Sequence, residues 1–160
     1  MKPDAATIER CVNTAVMKTK DEAGPLLEIL HAVQNGLGCV PPEAVPLIAA
    51  ALNLSRAEVH GVVSFYHHFR EKPVGRLHVQ LCRAEACRSM DGEGNAHYAR
   101  QRLGVDFGET RADGAVTLDS VYCLGLCACA PAALFNGRPE GRVDAQKIDV
   151  LADQHGVRVP

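Results

Sequence analysis

The sequence predicts an α+β fold in which a helical N-terminal part precedes a part built from strands and helices. Three observations carry this. Up to about residue 70 the apolar residues recur at the three- and four-residue spacing of helix faces. From Leu77 the period changes to two, the spacing of a strand. Between these regions lies Lys72-Pro73-Val74-Gly75, the one break in composition along the chain, so two domains are expected, residues 1–72 and residues 73–160.

The helical part is expected to hold four helices. Ile8, Val12, Ala15 and Val16 form a stripe after Asp4, a good N-cap type. Gly24-Pro25 opens a second helix with Pro at its first position and the stripe Leu26, Leu27, Leu30, Val33 and Leu37, stopped by Gly36 or Gly38. Pro41-Pro42 starts a third, carrying Val45, Ile48, Ala49 and Leu52. In Ser55-Arg56-Ala57-Glu58 the serine and glutamate have capping-box spacing, and Val59, Val62, Val63 and Tyr66 supply the next apolar face. Short amphipathic helices on short connections make a bundle.

In the second part Leu77, Val79 and Leu81 alternate with His78 and Gln80, a strand that runs directly into Cys82. A helix is expected over 90–103, with Gly92 and Gly94 weakening its first turn. Val116-Thr117-Leu118 and Val121-Tyr122 are strand-like and lead into Cys123. Residues 132–143 read as a hairpin around Asn136-Gly137, a strong two-residue turn signal, and Asp144 caps a last helix with Ile148 and Leu151 inward. Strand, helix, strand, hairpin and helix in that order suit one sheet with both cysteine loops leaving strand ends.

Composition narrows the function. Of the 160 residues 47% are apolar and 22% charged, ordinary for a water-soluble protein. A formal charge of −2 and the lack of a Lys/Arg run give no case for nucleic acid. The longest apolar run, Val45 to Leu52, is far short of the roughly 18 residues of a membrane span, so no membrane insertion is expected. No secretory signal is visible, which makes the cytoplasm the expected location and makes seven cysteines metal ligands or redox thiols rather than disulfides.

Four of those cysteines fall in two tight pairs, Cys82-x4-Cys87 and Cys123-x3-Cys127, with 35 residues between them. Four thiolates in two loops are what a 2Fe-2S cluster needs, because each iron takes two protein sulfurs. Structural zinc is the first rival, yet it favours Cys-x2-Cys knuckles, and no such pair occurs. A dithiol enzyme also needs Cys-x-x-Cys; Cys127 with Cys129 would close a strained ring. Gly125 lets backbone approach closely, and Pro131 is expected to hold the exit from the loop extended. Cys129 is expected as a small packing residue under the loop, the other reading being a substitute ligand or a redox-sensitive thiol. Cys11 and Cys39, isolated on apolar helical stretches, are expected to be buried structural thiols. His60, His67 and His68 are expected at the surface or facing a partner, since adjacent helical residues point about 100° apart and cannot share an ion. Arg83 and Arg88 flank the first pair, either as solvated charge or as cations that stabilise a reduced cluster or dock an acidic partner. No nucleotide fingerprint or catalytic set stands out, so the chain itself is not expected to be an enzyme.

Gly61-Val62-Val63-Ser64-Phe65-Tyr66, Cys82-x4-Cys87, Cys123-Leu124-Gly125-Leu126-Cys127, Ala130-Pro131 and Asn136-Gly137 together resemble the thioredoxin-like 2Fe-2S ferredoxins of NADH-linked complexes. The likeness spans nearly the whole chain. It implies a helical bundle followed by a thioredoxin-like α/β domain in which Cys82, Cys87, Cys123 and Cys127 ligate one 2Fe-2S cluster. It also implies an electron-transfer subunit docked on a flavin- and NAD-binding subunit, as in respiratory complex I, NAD-reducing hydrogenases and NAD-dependent formate dehydrogenases. Residues 82–89 and 123–127 look most like the formate dehydrogenase gamma subunit, which implies a molybdenum-containing formate-oxidising partner. Cys129 departs from the family, where a non-cysteine residue is more usual.

Overall fold

The computed structural model describes residues 3–19 and 21–158 and divides into two units, one ending at Pro73 and one beginning at Val74. In the first unit the four helices start where capping chemistry lets them. Helix α1 (Ala5–Thr19) is entered through Asp4, whose Oδ1 accepts the Thr7 N–H at 2.8 Å. Helix α2 (Leu26–Leu37) places Pro25 one residue before its first turn, and α3 (Ala44–Leu52) begins beyond Pro41-Pro42, which form a turn closed by the Ala44 N–H on Pro41 O. Helix α4 (Arg56–Phe65) carries the expected reciprocal box: the Glu58 N–H donates to Ser55 Oγ at 3.2 Å and the Ser55 N–H to Glu58 Oε2 at 2.8 Å.

Ile8, Val12, Ile29, Leu30, Val33, Ile48, Val59 and Val63 are buried together in this unit. Buried Gln34 spends both ends of its amide on the segment after α4, donating to His68 O and accepting from the Arg70 N–H, each at 2.9 Å. Tyr66 does not join the α4 apolar face. The helix ends at Phe65, so Tyr66 turns extended, 43% exposed, with its ring edge-on to Phe65.

In the second unit the five strands are β1 (Leu77–Cys82), β2 (Glu109–Thr110), β3 (Val116–Val121), β4 (Ala133–Phe135) and β5 (Arg138–Glu140), ordered β2-β3-β1-β4-β5. The β1/β3 pair is parallel, with Leu77 opposite Val116 and Cys82 opposite Val121; the other pairs are antiparallel. Helices α5 (Glu85–Ser89), α6 (Gly92–Leu103) and α7 (Ala145–Gln154) complete the unit. Leu77, Val79, Leu81, Val116, Leu118 and Phe135 pack with Ala99 and Leu103 of α6 and Ile148 and Ala152 of α7. Asp144 caps α7 by accepting the Lys147 N–H.

The alternation in β1 places His78 on the opposite face, and it is buried there too. Its Nε2 lies 2.6 Å from Asp119 Oδ2 on β3, and its N–H donates to Asn136 Oδ1. Asn136 and Gly137 both have left-handed φ, 49° and 78°, as the two-residue hairpin turn between β4 and β5 requires. Among the described residues no helix is long and apolar enough to cross a membrane.

Replacing Ser55 by Ala removes an acceptor for one amide at the α4 N-terminus and should cost about 1 kcal/mol. Urea unfolding followed by far-UV circular dichroism checks this, and an unchanged midpoint would contradict the capping box.

Candidate metal centre

The parallel register of β1 and β3 brings both cysteine loops out at one end of the sheet. Beyond the ladder the Arg83 N–H donates to Val121 O at 2.8 Å, and the Cys82 N–H donates to Ala132 O at 3.0 Å, so the first loop is tied to the strand on each side. Cys82 ends β1. Cys87 sits in α5, whose turn is closed by the Cys87 N–H on Ala84 O. Both are buried, and with Ala132 they form a small apolar cluster onto which Ala84, Val121, Leu124, Leu126 and Ala130 pack.

In the second loop Cys123 and Cys127 are exposed, while Leu124 and Leu126 between them are half-buried. The loop turns sharply through Cys123 and Gly125, with φ of 74° and 75°, so Gly125 holds a left-handed conformation that a side chain would strain. Cys123 Sγ and Cys127 Sγ stand 3.8 Å apart, and the Gly125 N–H donates to Cys123 Sγ. Two thiolates held about 2.3 Å from one tetrahedral ion are themselves about 3.8 Å apart, so this pair already has the spacing of two ligands on one metal.

The two pairs meet. Burial pushes the Cys82 thiol up. Hydrogen bonds from the Ala84 backbone, the Cys87 side chain and the backbone of Cys123 and Leu124 outweigh that and leave its pKa below the ordinary thiol value. Burial pushes Cys87 up, against a hydrogen bond from the Ala132 backbone. The hydrogen bond with Cys123 raises Cys127, which also feels the charge of Cys82. Backbone amides of the second loop thus reach the sulfur of Cys82 in the first, and the two cysteine pairs are neighbours. Among the described residues no three His, Cys, Asp or Glu side chains gather as ligands of a single ion; a two-iron group asks for two sulfurs per iron.

The other thiols stand apart. Cys129 is exposed in the 3-10 turn Cys127–Cys129, not packed beneath the loop as expected, because its backbone is drawn toward the chain after β5: Cys129 O accepts the Arg142 N–H, and a Cβ on Gly141 would lie 2.7 Å from its own. Ala130 is extended before Pro131, and the peptide between them is cis. In the helical unit Cys39 is buried, whereas Cys11 is only half-buried, against Gly36; burial raises both thiols. His60, His67 and His68 are exposed; His60 lies 3.7 Å from Glu71, and the His68 ring lies 5.3 Å from that of His31.

Glu93 pairs with both Arg83 and Arg88; Arg83 is half-buried and Arg88 stays exposed to solvent. Gly92 was legible only as a weak helix start. It serves a close approach instead: a Cβ there would come 2.5 Å from Cys87 O, so α6 can rest against the first loop only with glycine.

Residues 12–155 match the thioredoxin-like 2Fe-2S ferredoxin family. The chain belongs to that family. Its cofactor is accordingly one 2Fe-2S cluster, and the donor set just described, four thiolates in two meeting pairs, fits it. The chain is 31% identical over 147 residues to an NADH-quinone oxidoreductase subunit of Rhizobium meliloti (strain 1021), covering 92% of this chain and 88% of the relative. It is 32% identical over 131 residues to NADP-reducing hydrogenase subunit HndA of Solidesulfovibrio fructosivorans, covering 81% and 77%. The crystal structure of an NAD+-reducing NiFe-hydrogenase in the air-oxidised state superposes with a TM-score of 0.73 at 27% identity; the match covers 84% of this chain but only 23% of the hydrogenase chain.

Gly92→Ala should force the α5–α6 backbone apart and destabilise the second unit more than Gly125→Ala, whose Cβ meets nothing within 4 Å and costs only the roughly 1–2 kcal/mol of a left-handed residue. Comparing denaturant midpoints of the two variants checks the order.

Proposed function

We propose that Cys82, Cys87, Cys123 and Cys127 hold the 2Fe-2S cluster and that the chain is an electron-transfer subunit of an NAD-linked oxidoreductase complex, with no catalytic set of its own. The observation that carries this is the meeting of a buried cysteine pair with an exposed pair at one end of the parallel β1/β3 ladder. Cys82 with Cys87 would hold one iron and Cys123 with Cys127 the other. When bound, the cluster supplies one-electron transfer. Backbone N–H groups around Cys82, Cys87 and Cys123 are placed to stabilise negative charge on sulfur, which favours the reduced state. Tyr122, Cys123 and Cys127 put that end of the unit at the surface, where a flavin- and NAD-binding subunit could take up or supply the electron.

The parent complex is the finer reading. Residues 82–89 and 123–127 support a cytoplasmic NAD-dependent formate dehydrogenase, with a molybdenum-containing subunit oxidising formate. The relatives named above support respiratory complex I or a hydrogenase at least as well.

Anaerobically purified protein should contain two irons and two acid-labile sulfides per chain; zinc in their place would contradict the proposal. Serine at any of the four positions should abolish or alter the visible spectrum, and Cys129→Ser should leave it unchanged. Source cells lacking this chain should lose formate-dependent NAD+ reduction in extracts while keeping NADH:quinone and hydrogen-dependent activities. Loss of either of the latter instead would assign the chain to that complex.

A further inference from the structure

We infer that Glu93 is the positioning residue of the Cys82–Cys87 loop, a role that rests on the cluster reading above: one carboxylate holds the residue that follows each buried cysteine. Arg83 comes directly after Cys82 and Arg88 directly after Cys87. From the first turn of α6, Glu93 Oε2 and Oε1 lie 2.9 and 3.1 Å from Arg83 Nη2, and Oε1 also lies 3.4 Å from Arg88 Nε. The origin of that carboxylate is fixed, because Gly92 is pressed against the Cys87 carbonyl. The clamp therefore closes over the loop from a helix that already rests on it.

Exposed ion pairs are usually weak, and Glu93 is about half exposed. Arg83 makes this one different. Its guanidinium carbon sits 5.0 Å from the centre of the Phe107 ring, and its buried Nε has no hydrogen-bond partner among the described residues. The Phe107 ring and the Glu93 countercharge on Nη2 together hold this cation in place. Take the charge from Glu93 and Arg83 gains by swinging into water, pulling on the backbone that joins Cys82 to the Val121 carbonyl. Arg88 keeps only the looser contact with Glu85, at 3.8 Å. Two consequences follow for a bound cluster. The loop that supplies two ligands loosens, and two cations beside the site lose their shared carboxylate, which favours the more negative reduced state.

The test compares wild type with Glu93→Gln, which preserves shape and removes charge, in anaerobically purified full-length protein. Iron release to a chelator should accelerate about tenfold, as is common when the groups that orient ligands are lost, and the midpoint potential should shift upward. A purely structural glutamate would lower the melting temperature without moving the potential. Arg83→Met combined with Glu93→Gln should release iron no faster than Glu93→Gln alone, because the two act as one unit. If Glu93→Gln does not fold, Arg88→Gln should show a smaller acceleration of the same kind. Wild-type release and potential in Glu93→Gln, with two irons and two sulfides present, would overturn the clamp and leave the cluster reading standing; wild type without iron and sulfide would overturn that reading itself.

Discussion

The parallel pairing of β1 with β3 is the constraint on which the site depends. A parallel register sends both strands out at the same end, so Cys82 and Cys123, 41 residues apart, begin their loops side by side. The ladder continues past the strands through the Arg83 N–H on Val121 O, and Ala132, just before β4, accepts the Cys82 N–H. An antiparallel pairing of the same strands would place the two loops at opposite ends. The core beneath, from Leu77 and Leu118 to Leu103 and Ile148, keeps that register, since a slip of one residue would turn every apolar side chain away from α6 and α7.

The two halves of the site are unlike in environment. Cys82 and Cys87 lie in an apolar cluster with Ala132, where low polarity raises the cost of charge and backbone amides offset it. Cys123 and Cys127 lie in the open. The proposed cluster, shared between the two pairs, would have one side shielded from water and the other within reach of a partner, as the proposed electron carrier requires.

Much of this was legible in the chain. Asp4, Ser55 with Glu58, Asp144 and Asn136-Gly137 act over a few residues, so their caps and turn can be read directly from sequence. The cysteine spacing likewise exposed both loops, because each pair is local. What failed was non-local or too short to have a period. His78 is buried through Asp119, 41 residues away. The five-residue α5 and two-residue β2 carry no repeating pattern. Gly92 looked like a poor helix start because its neighbour, the Cys87 carbonyl, belongs to the preceding loop. Cys129 is exposed because of where the chain runs at Gly141 and Arg142, which nothing near residue 129 announces.

The most direct measurement is a crystal structure of the anaerobically purified protein with anomalous data collected at the iron edge. The account predicts two adjacent iron peaks, one about 2.3 Å from the sulfurs of Cys82 and Cys87 and the other at that distance from Cys123 and Cys127. A single peak shared by all four sulfurs, or an iron bound to Cys129, would contradict it.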